Sequence, residues 1–337
     1  MEPHVHSSKM KAPLFTVCLV LAGCGAKPDH PQVRVALAAT GLQTTQMPMV
    51  LADSLGYFKA EGVDVSLVNL SSYAKTMEAL LGGSVEVAGA AYQQAIQLAA
   101  EGQHVRAFFI GVQRDSRVLI LAPASNEKFH RVEDLKGAVV GVSSPGSSNH
   151  QWVNFTLAAH GVRAADVSAV GIGVGASAVA ALESGRIDAA GLAAGDHFRL
   201  LQRHPGLRVL VDSSTPEGMH ASYGGDVYAG GALTAKQEWL DRNPDAARRM
   251  GRALQQALRW IAAHKPEEIR ERLPESFRSQ DAALDCRIIA WGLPGFTVDG
   301  KMPKGAPEAM KRFLDATSEK VRDTRIDLAA TWTNDFL

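Results

Sequence analysis

Ala79-Leu80-Leu81-Gly82-Gly83-Ser84-Val85-Glu86-Val87-Ala88-Gly89 recurs as Ala181-Leu182-Glu183-Ser184-Gly185-Arg186-Ile187-Asp188-Ala189-Ala190-Gly191. Alanine, leucine, glycine, an aliphatic residue, an acid, alanine and glycine match in register. Each copy reads as a helix end, a glycine cap and a strand, which places one copy in each of two lobes. The competing reading is chance similarity between two alanine-rich helix-to-strand junctions. Open parallel sheets bind ligands beyond the carboxyl ends of their strands. The residues after the copies, Ala91-Tyr92-Gln93 and Ala194-Gly195-Asp196, are therefore expected to face one cleft.

Outward from the first copy, short strands alternate with helices. Strands are expected at 33–38, 63–68, 85–88 and 105–112, and helices at 49–61, 73–81 and 92–101, each helix followed by glycine. That βαβα order implies a parallel sheet with helices on both faces. Arg114-Asp115-Ser116-Arg117 is a polar interruption between the apolar runs 105–112 and 118–122, and reads as a first crossing between lobes. The loop-rich piece 212–231, with many glycines and little helical periodicity, reads as the crossing back. The remainder of the chain is expected to be helical and without a strand of its own, so that it must pack on a lobe already formed. Its longest helix, 245–264, carries Met250, Leu254, Ala257, Leu258 and Ile261 as a core stripe.

The second lobe contains the stretch 139–161. Val139, Val140 and Val142 form a strand running into Ser143-Ser144-Pro145-Gly146-Ser147-Ser148-Asn149, and a helix with Trp152, Val153, Phe155 and Leu157 on its apolar face ends at Gly161. A hydroxyl-rich turn opening a helix presents unpaired N–H groups and the positive end of the helix dipole to an anionic or carbonyl-bearing guest. Gly141 and Gly146 have P-loop spacing, but Ser147 stands where the lysine belongs, which excludes nucleotide hydrolysis. The plainer reading is an ordinary N-capped helix.

The N-terminus reads as an address. Lys9 and Lys11 precede an apolar run at 12–20, too short for a permanent membrane span. Leu21-Ala22-Gly23-Cys24 then looks like a bacterial lipobox, with cleavage ahead of Cys24, lipid on its sulfur, and Met10 as an alternative start. A plain secreted precursor is the competing reading. Cys18 and Cys24 lie in this segment and leave Cys286, among Leu284, Ile288 and Ile289, as a buried structural thiol without an intramolecular disulfide partner. The 337 residues are 46% hydrophobic, enough for real cores, and 35 Lys plus Arg balance 35 Asp plus Glu. No basic run interleaved with aromatics appears, which excludes a nucleic-acid footprint.

Ala52-Asp53-Ser54-Leu55-Gly56-Tyr57-Phe58-Lys59-Ala60-Glu61-Gly62-Val63-Asp64-Val65 resembles the A-x-x-x-G-[YF]-F-x-x-E-G-[LV]-x-V signature of ABC-transporter substrate-binding proteins of the nitrate, sulfonate and taurine type, the NMT1/THI5-like family. Asp134-Leu135-Lys136-Gly137, Ser144-Pro145-Gly146-Ser147-Ser148, the unit 180–190 and Ile326-Asp327-Leu328 with Asn334 extend the resemblance from about residue 33 to the C-terminus. It implies an α/β, two-lobed type II periplasmic-binding-protein fold, each lobe a mostly parallel sheet flanked by helices. The expected organisation is a lipoprotein signal peptide at 1–24, a discontinuous lobe 1 at 33–115 and 229–337, and lobe 2 at 116–228. The implied function is hinge-closing capture of a small organic molecule or oxyanion for an ABC permease and ATPase, by a periplasmic monomer anchored to a membrane through lipid on Cys24.

The resemblance implies ligand contacts from Thr44 and Gln46, from Ser72 and Tyr73, from Ala91 and Tyr92, from Ser144, Gly146, Ser147 and Ser148, and from Asp196 and Tyr223. Read residue by residue, the serines offer one N-cap and at least one oxyanion contact. Tyr73 and Tyr92 either wall an organic ligand or pack at helix starts, and Asp196 either holds an ammonium or caps a helix. His150 and His197 are read as solvated rather than as contacts. Arg114 and Arg117 are assigned to the crossing, paired with Asp115 or solvent. That leaves no guanidinium clamp, which weighs against nitrate and simple sulfonates and keeps neutral, aromatic or mixed-charge organic ligands open. No catalytic residue, metal or cofactor is expected. The alternatives are an enzyme like the family's thiamine-pyrimidine synthase, which would need a cytoplasmic chain and an iron-binding Cys/His cluster, and a ligand-sensing partner of a membrane receptor.

Overall fold

Ten strands make two five-stranded sheets among the described residues of this computed structural model, namely residue 1, 30–38, 41–70 and 73–337. The first sheet contains β1 (Gln32–Leu37), β2 (Asp64–Asn69), β3 (Val87–Ala90), β4 (Val105–Val112) and β10 (Gly230–Lys236). The second contains β5 (Arg117–Leu121), β6 (Val139–Val142), β7 (Ser168–Gly171), β8 (Ala189–Ala193) and β9 (Val209–Asp212). Their orders, β2-β1-β3-β10-β4 and β7-β6-β8-β5-β9, correspond position by position. The central strands β3 and β8 are the strands of the two sequence repeats. Both are preceded by a glycine in the left-handed region, Gly83 at φ 75° and Gly185 at φ 70°, a conformation that a Cβ would disfavour.

Each sheet is mostly parallel, and the odd strand is the one that arrives from the other sheet. β5 runs antiparallel to β8 and β9, and β10 runs antiparallel to β3 and β4. The chain therefore crosses twice, at 113–116 and 213–229. This is the two-lobed periplasmic-binding-protein fold.

Apolar faces account for the packing. The helix Pro244–Ala263 buries Met250, Leu254, Ala257, Leu258 and Ile261 as expected, each large side chain contributing about 1.5–3 kcal/mol of transfer free energy. It lies against the helices Met47–Ser54 and Tyr57–Ala60 and against β4. Two later helices reach across to the second lobe. Ala282–Gly292 packs on Ala194–Arg203, and Ala306–Thr317 touches both Gln93–Ala100 and Ser148–Ala159. At that seam the Phe313 ring lies 5.0 Å from Phe155 and 5.4 Å from Tyr223.

Several local expectations are corrected. The helix read at 49–61 is two pieces, because Gly56 at φ 74° breaks it. The strand read at 85–88 begins at Val87, since Ser84 and Val85 donate back to Ala79 O and close the preceding helix. The crossing read as irregular contains the helix Pro216–Tyr223, capped by the Thr215 hydroxyl. The segment read as strandless contributes β10, whose small residues fit between β3 and β4, buried almost throughout. Cys286 is half-buried rather than buried, with burial pushing its thiol pKa up.

Candidate functional site

A cavity of about 700 Å³ lies between the sheets, beyond the carboxyl ends of their parallel strands. The loop after β1 brings Leu42 and Thr44, the end of β3 brings Ala91, the loop after β6 brings 143–144 and 146–149, and the end of β8 brings Ala193 and Ala194. Helices that start at these ends aim their amino termini at the space, so the fold itself supplies hydrogen-bond donors. In the helix Ser148–Ala159, Ser147 is the cap, its Oγ accepting from His150 N at 3.1 Å. Among the described residues Ser148 N and Asn149 N have no backbone acceptor.

Of the residues expected to contact a ligand, Thr44, Ala91, Ser144, Gly146, Ser147, Ser148 and Asp196 line this cavity. Three do not. Tyr92 is wholly buried in the core, with its hydroxyl 2.6 Å from Thr331 Oγ1, because the helix that follows turns Gln93 and Gln94 toward the opening instead. Gln46 is buried, its carboxamide on the protein side against β3, near Gly89. Tyr223 lies behind the wall, 1% exposed. Ser72, the Tyr73 side chain and Cys24 lie outside the described residues. His150 takes the Gly146 N–H on its Nδ1.

Asp196 does not cap its own helix, and both of its carboxylate oxygens accept from groups of the protein. Its Oδ2 accepts from Gly175 N at 2.9 Å and its Oδ1 from the Arg199 guanidinium at 3.1 Å. His197 is 4% exposed rather than solvated, flat against Phe198 and near Trp291. Burial pushes its pKa down to about 4.

Arg117 pairs with Asp115 as the sequence reading expected, but both residues, assigned there to the crossing alone, also line the cavity. Because β5 is antiparallel, Arg117 at its start pairs with Ala193 at the end of β8, which delivers a crossing residue to the cavity wall. Arg117 Nε lies 2.6 Å from Asp115 Oδ2. Its two terminal nitrogens donate to Ser148 O at 3.0 Å and to the Tyr223 hydroxyl at 2.7 Å. Tyr223 in turn donates to Asp115 Oδ2 at 2.6 Å. Burial disfavours charge on the guanidinium, but Asp115 and its tyrosine neighbours outweigh that and hold its pKa above the ordinary value. Burial also raises the Tyr223 pKa well above the usual phenol range, so it remains a donor. The signal available in sequence was the polar cluster at a strand start; reading it as linker hid it.

The NMT1/THI5-like family model matches residues 43–269. A solved protein of Bordetella bronchiseptica RB50 is 31% identical, with a TM-score of 0.78 over 92% of this chain and 96% of that one. The periplasmic aliphatic sulphonate binding protein SsuA from Escherichia coli is 20% identical, with a TM-score of 0.68 over 91% of this chain and 93% of its own. The provisionally named binding protein YtlA of Bacillus subtilis (strain 168) is 22% identical over 274 residues, 79% of this chain and 77% of that protein.

Proposed function

The chain belongs to the NMT1/THI5-like family, and we propose on that premise that it is the extracytoplasmic solute-binding component of an ABC importer. It captures a small organic solute between its lobes and delivers it unchanged to a permease with an ATPase. The observation that carries this reading is the cavity of about 700 Å³, walled by both sheets, into which the amino ends of helices and the paired Asp115 and Arg117 converge. A volume of that size suits a small molecule.

The moving bodies proposed are 33–115 with 229–337, and 116–228, turning about the two crossings. Attachment to the membrane through a lipid on Cys24, after removal of the signal peptide, would keep a monomeric receptor near its permease. The sulphonate named for the Escherichia coli relative makes sulfonates one class to screen, beside taurine-like, aromatic and pyrimidine compounds and small oxyanions.

A thermal-shift screen of the processed chain tests the reading. A bound solute at a hundred times its Kd adds about 2.7 kcal/mol of apparent stability. Chromatography of the recovered solute should return it chemically unaltered. A confirmed ligand whose shift is the same in Arg117→Ala and Ser148→Pro as in the parent binds elsewhere, and a solute returned as a new compound makes the protein an enzyme.

A further inference from the structure

We infer that the cavity takes a solute without net charge, one that offers a hydrogen-bond acceptor to the second lobe and an N–H donor to the first. This deepens the receptor reading and rests on it. Among the described residues the charged side chains lining the cavity are Asp115, Arg117 and Asp196. Each is already answered within the protein, Arg117 by Asp115 at 2.6 Å and Asp196 by Arg199 at 3.1 Å. A guest bearing a full net charge would lose its hydration without a free counter-charge to replace it.

What the walls still offer is partial charge. On the second lobe, the helix Ser148–Ala159 has no acidic residue in its first turn, and its amino end carries roughly half a positive charge. An acceptor oxygen there would accept from Ser148 N and Asn149 N, which have no backbone acceptor among the described residues; Arg117, also in the lining, has five N–H groups and engages three of its nitrogens within the protein. Of the other amino ends at the cavity, that of Ala194–Arg203 already has Asp196 in its first turn, whereas that of Gln93–Ala100, on the first lobe, has no acidic residue there. On the first lobe, Gln93 and Gln94 face the cavity. Gln94 Oε1 is buried and without a hydrogen-bond partner among the described residues. A buried acceptor left in that state favours a guest with an N–H to give. A carboxamide, an aminoheterocycle or a zwitterion has both ends; a simple oxyanion has only one.

Isothermal titration of the full chain with matched probes tests this: nicotinamide against nicotinate, cytosine against orotate, and taurine against isethionate. The expected result is that in every pair that binds, the uncharged or zwitterionic member binds at least tenfold tighter. Asp115→Asn leaves Arg117 uncompensated and should improve the anionic member at least tenfold. Gln94→Leu, at a half-buried helix position, should weaken the N–H-bearing member at least tenfold while leaving the unliganded melting temperature in place. Wild-type preference for the anionic members overturns the inference and leaves the receptor reading standing. So does a Gln94→Leu protein that binds as the parent does. A wild-type chain that binds no member of any pair and no compound of the broader thermal-shift screen removes the receptor reading and this inference together.

Discussion

The Tyr92 hydroxyl meets Thr331 Oγ1 at 2.6 Å, and Thr331 gives its own proton to Leu328 O at 2.7 Å. Tyr92 must therefore be the donor, and the bond fastens the start of the helix Gln93–Ala100 to the C-terminal turn Leu328–Thr331. Tyr92→Phe should lower stability by about 0.5–1.5 kcal/mol in urea unfolding, since Thr331 keeps its other bond. Tyr92→Ala should cost about 3–5 kcal/mol. Ligand affinity should be unchanged in Tyr92→Phe, and a tenfold weaker Kd would place the phenol in the cavity after all.

The last glycine of each repeat unit carries a second prediction. A Cβ on Gly191 would lie 2.5 Å from Val153 Cγ2 and 3.1 Å from Asn149 Nδ2, and one on Gly89 would lie 2.9 Å from Leu37 Cδ2 and 3.0 Å from Met49 Cε. In each lobe the helix after the first parallel strand packs directly on this glycine. Gly191→Ala should destabilise by about 1–3 kcal/mol, chiefly by displacing Val153, and because Asn149 of the cavity wall is crowded as well, it should also weaken solute binding. Gly89→Ala pushes on the ends of flexible side chains and should cost less. Equal costs in paired denaturation curves, with unaltered binding, would contradict this.

The left-handed glycines of the repeat, Gly83 and Gly185, explain how much was legible beforehand. The repeat could be read because helix end, left-handed glycine and buried strand each demand a particular residue type. β10 could not, because Gly230-Gly231-Ala232-Leu233-Thr234-Ala235 lacks the alternation and β-branching that mark a half-exposed strand. It is small because it is squeezed between β3 and β4. The Tyr92 placement was out of reach for another reason. Adjacent helical residues point about 100° apart, so knowing that a helix starts at the cavity does not say whether Tyr92 or Gln94 faces it. Arg117 was hidden by strand direction, which appears only once β5 is known to oppose β8.

A third prediction concerns the C-terminal helices. Asp285 is 1% exposed and takes Arg270 Nε at 2.9 Å, Ser279 N at 2.9 Å and Ser279 Oγ at 2.7 Å. It thereby joins the helix Pro266–Arg272 to Ala282–Gly292, the helix that brings Ile288 to the cavity. Asp285→Ala strands a half-buried guanidinium and two donors, and should cost about 3–5 kcal/mol in chemical denaturation. A loss below 1 kcal/mol would mean that water satisfies this cluster.

The last prediction is a pH dependence with a single origin. His197 is buried against Phe198 and Trp291 with neither ring nitrogen hydrogen-bonded among the described residues. Burial lowers its pKa to about 4, with Asp212 opposing that shift and Arg287 reinforcing it. The unfolded imidazole titrates near 6.5, so between those values the unfolded chain holds a proton that the folded chain does not. Stability is then complete above about pH 6.5 and is lost as the pH falls through about 4, by on the order of 3 kcal/mol. His197→Phe keeps the ring packing and removes the titrating group. In urea unfolding at pH 7.5, 5.5 and 4.5, the parent should lose stability along this series faster than the variant does. The variant should also gain at pH 7.5, because two unpaired ring nitrogens no longer have to be buried. Parallel acid limbs in the two proteins would assign the loss to the carboxylates instead.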